Sequence, residues 1–479
     1  MTDDLDTGLN IIDCIEHEHI FASLFRDPTE WAAWFSFLRV VFGLSLDDAD
    51  RALFKQCTGR EQPTGPYLEV WAQCGRRAGK SFILALIATY LAVFRDYRKY
   101  LACGERGTIM VIAADRKQAR VIMRYIRGML ALPALKPLLE RETADSFDLA
   151  HSVTIEVATT SYKTVRGYTL VAALCDEIAF FESGDFSSNP DDEILSALRP
   201  AMVTIPGAML LCASNPHGKF GAMWTTFEKH YANEDSRVLV WKAPTRVMHP
   251  SIPQSVVDDA IASDPDRAQS EWMAEFRSDL AKFIERMIVE GLVIPGRHEL
   301  PPQRDQEYVA FADPSGGASD SFVLAIGHLK ELNAEGTESI AILDLVREYR
   351  APLMPESVVA DVCDNLRRYR LDRVVGDAYG KNWVFEAFKK NDIVYEESEL
   401  TKNEIYLNAL PLLMQGRCEL LDNPRLVAQI ASLERRTSRA GRESIAEPQR
   451  QGFHDDVANA ALGALVLATG KGVSVWLRL

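Results

Sequence analysis

Short apolar runs rich in β-branched residues alternate with helical stretches through the first half of the chain, and this alternation constrains the fold most. The runs are LEVWAQ (68–73), TIMVIAA (108–114), VTIEVA (153–158), LVAALC (170–175), AMLLCA (208–213) and VLVWKA (238–243). Strands that are apolar throughout are covered on both faces, so an α/β layer with a mostly parallel sheet is expected. Ahead of them, aromatics and leucines recur at three- and four-residue spacing through FASLFRDPTEWAAWFSFLRVVF, which predicts helices over 15–57.

At 479 residues the chain exceeds a single core, which stops growing near roughly 250–300 residues. DPDRAQSEWMAEFRSDLAKFIERM (264–287) reads as one amphipathic helical stretch, and the proline-rich PGRHELPPQRDQ (295–306) after it marks the best boundary. Beyond it come three strand-like runs, YVAFAD (308–313), SFVLAIGHL (321–329) and SIAILDLV (339–346). A helix near 355–370, RVVGDA (373–378), a helix, DIVYEE (392–397), a further helix and a last helix through DDVANAALGALVLAT (455–469) follow. Three successive strands and then alternating helices and strands predict a mixed sheet, unlike the first.

Composition narrows the class. A formal charge of −15 with 47% hydrophobic residues is that of a globular chain, and neither half is basic, so nucleic acid would be met by local patches. One such patch is RRTSRAGRESIAEPQR (435–450), where Arg435, Arg436, Arg439, Arg442 and Arg450 stand against Glu443 and Glu447. It reads equally as a DNA-contacting loop or a solvated hairpin. The longest apolar run, FILALIATYLAVF (82–94), falls short of the ~18 residues of a membrane helix. The acidic start MTDDLDTGLNIIDC lacks the marks of a signal peptide, and eight cysteines without a CxxC pair suit reduced thiols. A cytoplasmic protein without membrane contact or structural zinc is the expectation.

CGRRAGKS (74–81) follows the strand LEVWAQ and opens a helix, the setting of a phosphate-binding loop. The unpaired N–H groups of the helix start, with Gly79 before it, would cradle phosphates. Lys80 would reach the β/γ-phosphates and the Ser81 hydroxyl would ligate Mg²⁺. A strict GxxxxGKS would begin with glycine where Cys74 stands, and Gly75 comes one residue later. LVAALC then runs into Asp176 and Glu177, which would hold Mg²⁺ and act as general base for the attacking water; the alternative is a pair that caps the next helix. AMLLCA ends in Ser214-Asn215-Pro216, either a sensor of the γ-phosphate at the carboxyl end of the sheet or a plain turn.

In the second half Asp313 ends a first strand, Asp377 ends a fourth, and Asp455-Asp456 begin the last helix. That is the ribonuclease H-like arrangement. Carboxylates gathered in this way stay ionised when cations sit among them, and two Mg²⁺ or Mn²⁺ ions about 3.5–4 Å apart would clamp a phosphodiester. Asp320 would assist, and His454 reads as a helix-entry residue. Any one of these aspartates alone reads as a cap or turn residue; their joint placement makes the site.

With GRRAGKS, the CDE strand end, the SNP strand end and the later D…D…HDD set in this order, the chain resembles the large terminase subunit of tailed bacteriophages from about residue 50 to 470. The resemblance implies a motor that hydrolyses ATP to thread double-stranded DNA into a procapsid and cuts concatemeric DNA. It implies a portal protein, a small terminase subunit and a homo-oligomeric ring as partners, in the host cytoplasm. It carries Arg76 to the arginine inside the phosphate loop, Ser214 and Asn215 to the coupling motif, and Arg166 to an arginine donated to a neighbouring subunit or bracing its own loop. Asp313, Asp377 and Asp455 match the nuclease metal ligands. The expected division is an N-terminal helical region (1–60), a P-loop ATPase domain (61–260), a helical linker (261–305) and a ribonuclease H-like nuclease domain (306–479). A helicase-like or repair ATPase-nuclease is the alternative.

Overall fold

The computed structural model describes residues 8–159, 167–181, 190–314, 321–333, 338–350, 354–377, 381–437, 443–448 and 454–470. The chain forms two compact units, with the main boundary between Asp279 and Leu280. It falls ahead of the proline-rich segment 295–306, which belongs to the second unit: Leu300 N–H donates to Asp344 O at 2.8 Å and the Tyr369 hydroxyl donates to Leu300 O.

The first unit opens with α1 (Ile11–Glu16), α2 (Ala32–Val41) and α3 (Asp48–Thr58). Reciprocal side-chain caps start α1, at Asn10 and Asp13, and α3, at Asp47 and Asp50. There follow β1 (Glu69–Cys74), α4 (Lys80–Phe94), β2 (Gly107–Ala113), α5 (Arg116–Leu130), β3 (Leu139–Glu142), β4 (Ser146–Leu149), β5 (Val153–Thr159), β6 (Thr169–Asp176), α6 (Pro190–Met202), β7 (Met209–Ser214), α7 (Gly221–His230), β8 (Val238–Ala243), α8 (Thr245–Met248), α9 (Gln254–Ser263) and α10 (Pro265–Glu271). The strands order as β3-β4-β5-β2-β6-β7-β1-β8, parallel except for β3 and β4. One face packs on α4, α5 and the N-terminal helices, the other on α6 and α7. The apolar run at 82–94 is thus a core helix, buried nearly all round. The strand ending in Ser214 lies between the phosphate-loop strand β1 and the acidic strand β6.

The single helix expected over 264–287 is not formed. After α10 the chain is drawn into the first unit by contacts outside any helix: Gln73 Nε2 donates to Ala274 O at 2.8 Å, Arg277 N–H donates to His217 O at 2.8 Å, and Ala274 has φ 57. Leu280–Lys282 is then a strand, β9, pairing with a later hairpin.

The second unit continues with α11 (Arg286–Gly291), β10 (Val309–Asp313), β11 (Phe322–Glu331), β12 (Ser339–Tyr349), α12 (Pro355–Arg368), β13 (Arg373–Gly376), α13 (Lys381–Lys389), β14 (Val394–Glu397), α14 (Lys402–Met414), β15 (Cys418–Glu419), α15 (Pro424–Ser432), β16 (Glu434–Thr437), β17 (Glu443–Ala446) and α16 (Asp456–Ala468). The main sheet orders as β14-β13-β10-β11-β12-β15; β10, β11 and β12 are antiparallel neighbours and β13 and β14 run parallel to β10. The sheet is mixed, as the ribonuclease H-like expectation required. The helix α16 lies on β10 and β11, where Gly463 permits the approach: a Cβ there would meet the Phe311 ring. Among the described residues no helix is long and apolar enough to cross a membrane.

Candidate functional site

In the first unit, parallel register brings three strand ends together. Gln73 pairs with Ser214 across β1 and β7, and Asp176 pairs with Ala213 across β6 and β7. The chain leaves β1 in a loop with φ 64 at Arg77 and φ 98 at Gly79, then enters α4 at Lys80. Glycine is required at 75 and not at 74, since a Cβ on Gly75 would lie 2.8 Å from Thr245 N and Trp272 O. That accounts for Cys74, whose side chain is buried and whose carbonyl accepts from Lys80. The loop is pinned from the N-terminal region, as Trp34 Nε1 donates to Ala78 O at 2.6 Å.

Lys80 is buried, donates to Cys74 O and Gly75 O at 3.2 Å, and pairs with Glu177 Oε1 at 3.3 Å. Ser81 Oγ donates to Asp176 Oδ2 at 2.7 Å, and Gln118 Nε2 on α5 donates to the same oxygen at 2.6 Å. Asp176 is fully buried and its Oδ1 has no hydrogen-bond partner among the described residues. Burial and then the Glu177 charge push its carboxyl up to about 6, against the bonds from Gln118 and Ser81. A hard cation fits this donor set: a hydroxyl and a carboxylate, one of whose oxygens is buried and unpaired, without thiolate or imidazole. Glu177 stands at φ 58, a left-handed conformation costly for a side-chain-bearing residue, and its Oε2 accepts from Ser214 Oγ at 3.0 Å and Asn215 N at 3.4 Å. It precedes the short 3-10 turn Ile178–Phe180, but its side chain makes no cap bond there, and Ser214 touches it directly.

Arg76 is turned to Glu271, at 3.0 Å. Arg166 lies outside the described residues, as do Asp320 and three of the five arginines of 435–450, Arg439, Arg442 and Arg450. The other two sit on the hairpin β16–β17, Arg435 paired with Glu443 and Arg436 with Glu434 at 3.5 Å. The sequence reading missed Gln118 and Trp34. Gln118 had one readable signal, a polar residue in the first turn of the helix after β2, a neighbour of β6.

In the second unit Ala312 pairs with Gly376 across β10 and β13, so Asp313 and Asp377 each follow directly at adjacent strand ends. One amide joins them: Asn459 Nδ2 on α16 donates to Asp313 Oδ2 and to Asp377 Oδ2, both at 2.8 Å. Burial raises both carboxyls above their ordinary range, that of Asp313 strongly, with the Asn459 bond opposing. Asp455 is not drawn to the same point. It is 1% exposed, Lys402 Nζ donates to its Oδ1, and the Tyr406 hydroxyl donates to its Oδ2 at 2.7 Å. Burial lowers the Lys402 pKa, but Asp455 beside it outweighs this and the net shift is upward. Asp456 Oδ2 accepts from Ser321 N at 3.0 Å, and Glu447 feels the charges of Asp455, Lys402, His454 and Asp456. Among the described residues no three His, Cys, Asp or Glu side chains are placed to hold one metal ion. Asp313 and Asp377 remain a fitting pair of hard oxygen ligands, converging on one donor. Asn459, Lys402 and Tyr406 were not anticipated, although Asn459 stands four residues after Asp455 and Tyr406 four after Lys402, one helical turn in each case.

The two units are therefore a phosphate-loop α/β fold and a ribonuclease H-like fold, each with polar side chains collected at the carboxyl ends of its central strands. Solved structures similar to the chain include those of large terminases. That of bacteriophage HK97 is 16% identical, with 89% of this chain and 99% of that chain covered and a TM-score of 0.39. The ATPase domain of the Thermus phage P74-26 large terminase is 16% identical, covering 50% of this chain and 97% of its own, TM-score 0.36. The large terminase nuclease of thermophilic phage G20c is 15% identical, covering 39% and 97%, TM-score 0.31. No family model and no curated protein matches the sequence.

Proposed function

We infer that the chain is a viral DNA-packaging motor, an ATPase in its first unit and a metal-dependent DNA endonuclease in its second. The observation that carries this reading is the hydrogen-bonded set Ser81–Asp176–Gln118 beside Lys80–Glu177–Ser214, joined in one polypeptide to the Asp313–Asp377 pair. The sequence order of these motifs supports the large terminase over other ATPase-nucleases. Its partners would be double-stranded DNA, a portal protein, a small terminase subunit and further copies of the chain in a ring, in the host cytoplasm. The proposed division is a helical region (1–60), an ATPase domain (61–260), a helical linker (261–305) and a nuclease domain (306–479), with the boundary of the two compact units falling inside that linker, at Asp279.

The first site suggests how binding and hydrolysis are linked. Ser81 Oγ and Asp176 would hold Mg²⁺, which when bound neutralises phosphate charge. Glu177 would accept the proton of the attacking water, and Lys80 is ion-paired to that same carboxylate. A γ-phosphate that draws the Lys80 ammonium changes the charge next to the base. Ser214 and Asn215, bonded to Glu177, carry its state into β7 and the loop after it. Arg76 remains a candidate phosphate ligand once freed from Glu271, and Arg166 a candidate donor to a neighbouring subunit. In the second site Asp313 and Asp377 would hold a divalent ion, Mg²⁺ or Mn²⁺, that activates water and stabilises the leaving oxygen when bound, with Asp455 the third carboxylate of the expected set.

The test is translocation on intact duplex. With ATP, the full chain should displace a triplex-forming strand from double-stranded DNA without separating the duplex. Unwinding of forked DNA with no triplex displacement would favour the helicase-like alternative.

A further inference from the structure

Lys402 and Tyr406 lie one turn apart on α14, and each takes one oxygen of Asp455. Asn403, between them, donates to Glu443 O at 3.3 Å and accepts from Ile445 N at 2.7 Å, fixing the start of α14 to β17. Asp455, at 1% exposure, is thus enclosed by donors of its own chain, whereas Lys402 itself is 41% exposed. The other two expected ligands form a separate pair, joined through Asn459, which is fully buried and whose Oδ1 has no partner among the described residues. Three carboxylates expected to share two ions are therefore divided, two around one amide and one under an ammonium.

Resting on the nuclease reading above, the geometry points to a centre that holds one divalent ion, on Asp313 and Asp377, with the Lys402 ammonium as its second positive charge in place of a second ion. An ion that reached Asp455 would have to displace a charge-assisted hydrogen bond from a buried carboxylate, which is among the stronger contacts a protein makes. The position also gives the lysine a use: half-exposed beside the buried acid, it meets the phosphodiester without leaving Asp455 unpaired. Besides Asp455, the negative charges of Asp313 and Glu447 act on the lysine and help to hold it in place.

The inference is tested by counting bound Mn²⁺ on the full chain without nucleotide, with Asp176→Asn present throughout so that the first unit's site adds no ion to the count, from the free-ion electron paramagnetic resonance signal. The wild type should bind one ion that Asp377→Asn abolishes. Lys402→Met should gain a second ion, removed again by Asp455→Asn in the same background, and Lys402→Arg should keep the wild-type count. Two ions lost from the wild type on Asp377→Asn and Asp455→Asn would overturn the role of Lys402 while leaving a nuclease, and this holds whether or not the Lys402 variants fold. A Lys402→Met variant with native thermal unfolding and an unchanged count would also overturn it. If Asp377→Asn removes no ion at all, the nuclease reading itself fails, and the inference with it.

Discussion

The two sites solve one problem, gathering negative charge at the carboxyl ends of strands, in different ways. In the first unit β1, β6 and β7 run parallel in one sheet, so backbone register sets Asp176, Glu177 and Ser214 side by side and the loop after β1 brings Lys80 within bonding distance. In the second unit register brings only Asp313 and Asp377 together, and helices α14 and α16 supply the rest through side chains. A site set by backbone tolerates little change at its few functional groups. One set by helix docking depends on residues far from the chemistry.

The largest expected effects separate the sites. Lys80→Ala should reduce ATP turnover of the full chain by at least about a hundredfold and leave metal-dependent cleavage of naked DNA within about threefold. Asp377→Asn should do the reverse. Loss of both activities in either variant, with native thermal unfolding, would show that the two sites are not independent.

A smaller effect follows from Asp176. Its carboxyl is raised from 3.8 to about 6, so the folded chain binds that proton more tightly than the unfolded chain does. Between these values stability falls as pH rises, and above them the cost is present in full. Asp176→Asn should therefore stabilise the nucleotide-free chain by about 1–3 kcal/mol at pH 8, a gain that fades towards pH 4. Thermal unfolding of both proteins across this range measures it; a gain that grows on acidification would contradict the assignment.

Trp34→Phe keeps the ring but leaves Ala78 O without its donor, at an expected cost of about 1–2 kcal/mol. The same change should weaken ADP binding, because the loop is pinned at this carbonyl. Unchanged ADP affinity by calorimetry would mean that the N-terminal helices only stabilise the unit.

The smallest effect concerns the basic hairpin. Two free arginines on phosphates would change the slope of log K against log salt by about 1.8. Arg435 and Arg436 are paired with Glu443 and Glu434, so Arg435→Gln with Arg436→Gln should change it by less than about one unit. A change near two would place both arginines on the DNA.

Much of this was legible in the chain itself. Apolar runs such as LVAALC and AMLLCA specify buried parallel strands because only a sheet covered on both faces hides every side chain, and a polar residue ending such a run lies at the carboxyl end of its strand. For that reason Asp176, Glu177, Ser214, Asp313 and Asp377 could be located before any coordinates. The contacts that complete the sites arise between elements distant in sequence. Gln118 meets Asp176 across 58 residues, Trp34 meets Ala78 across 44, and Lys402 meets Asp455 across 53. Local periodicity carries no information about such pairs, and it failed at 264–287 for the same cause, because Ala274 and Arg277 bond to residues of the first unit and not along a helix. The sequence by itself determined which residues end each strand; only the packing of α5, α14 and α16 against the sheets decided which side chains stand beside them.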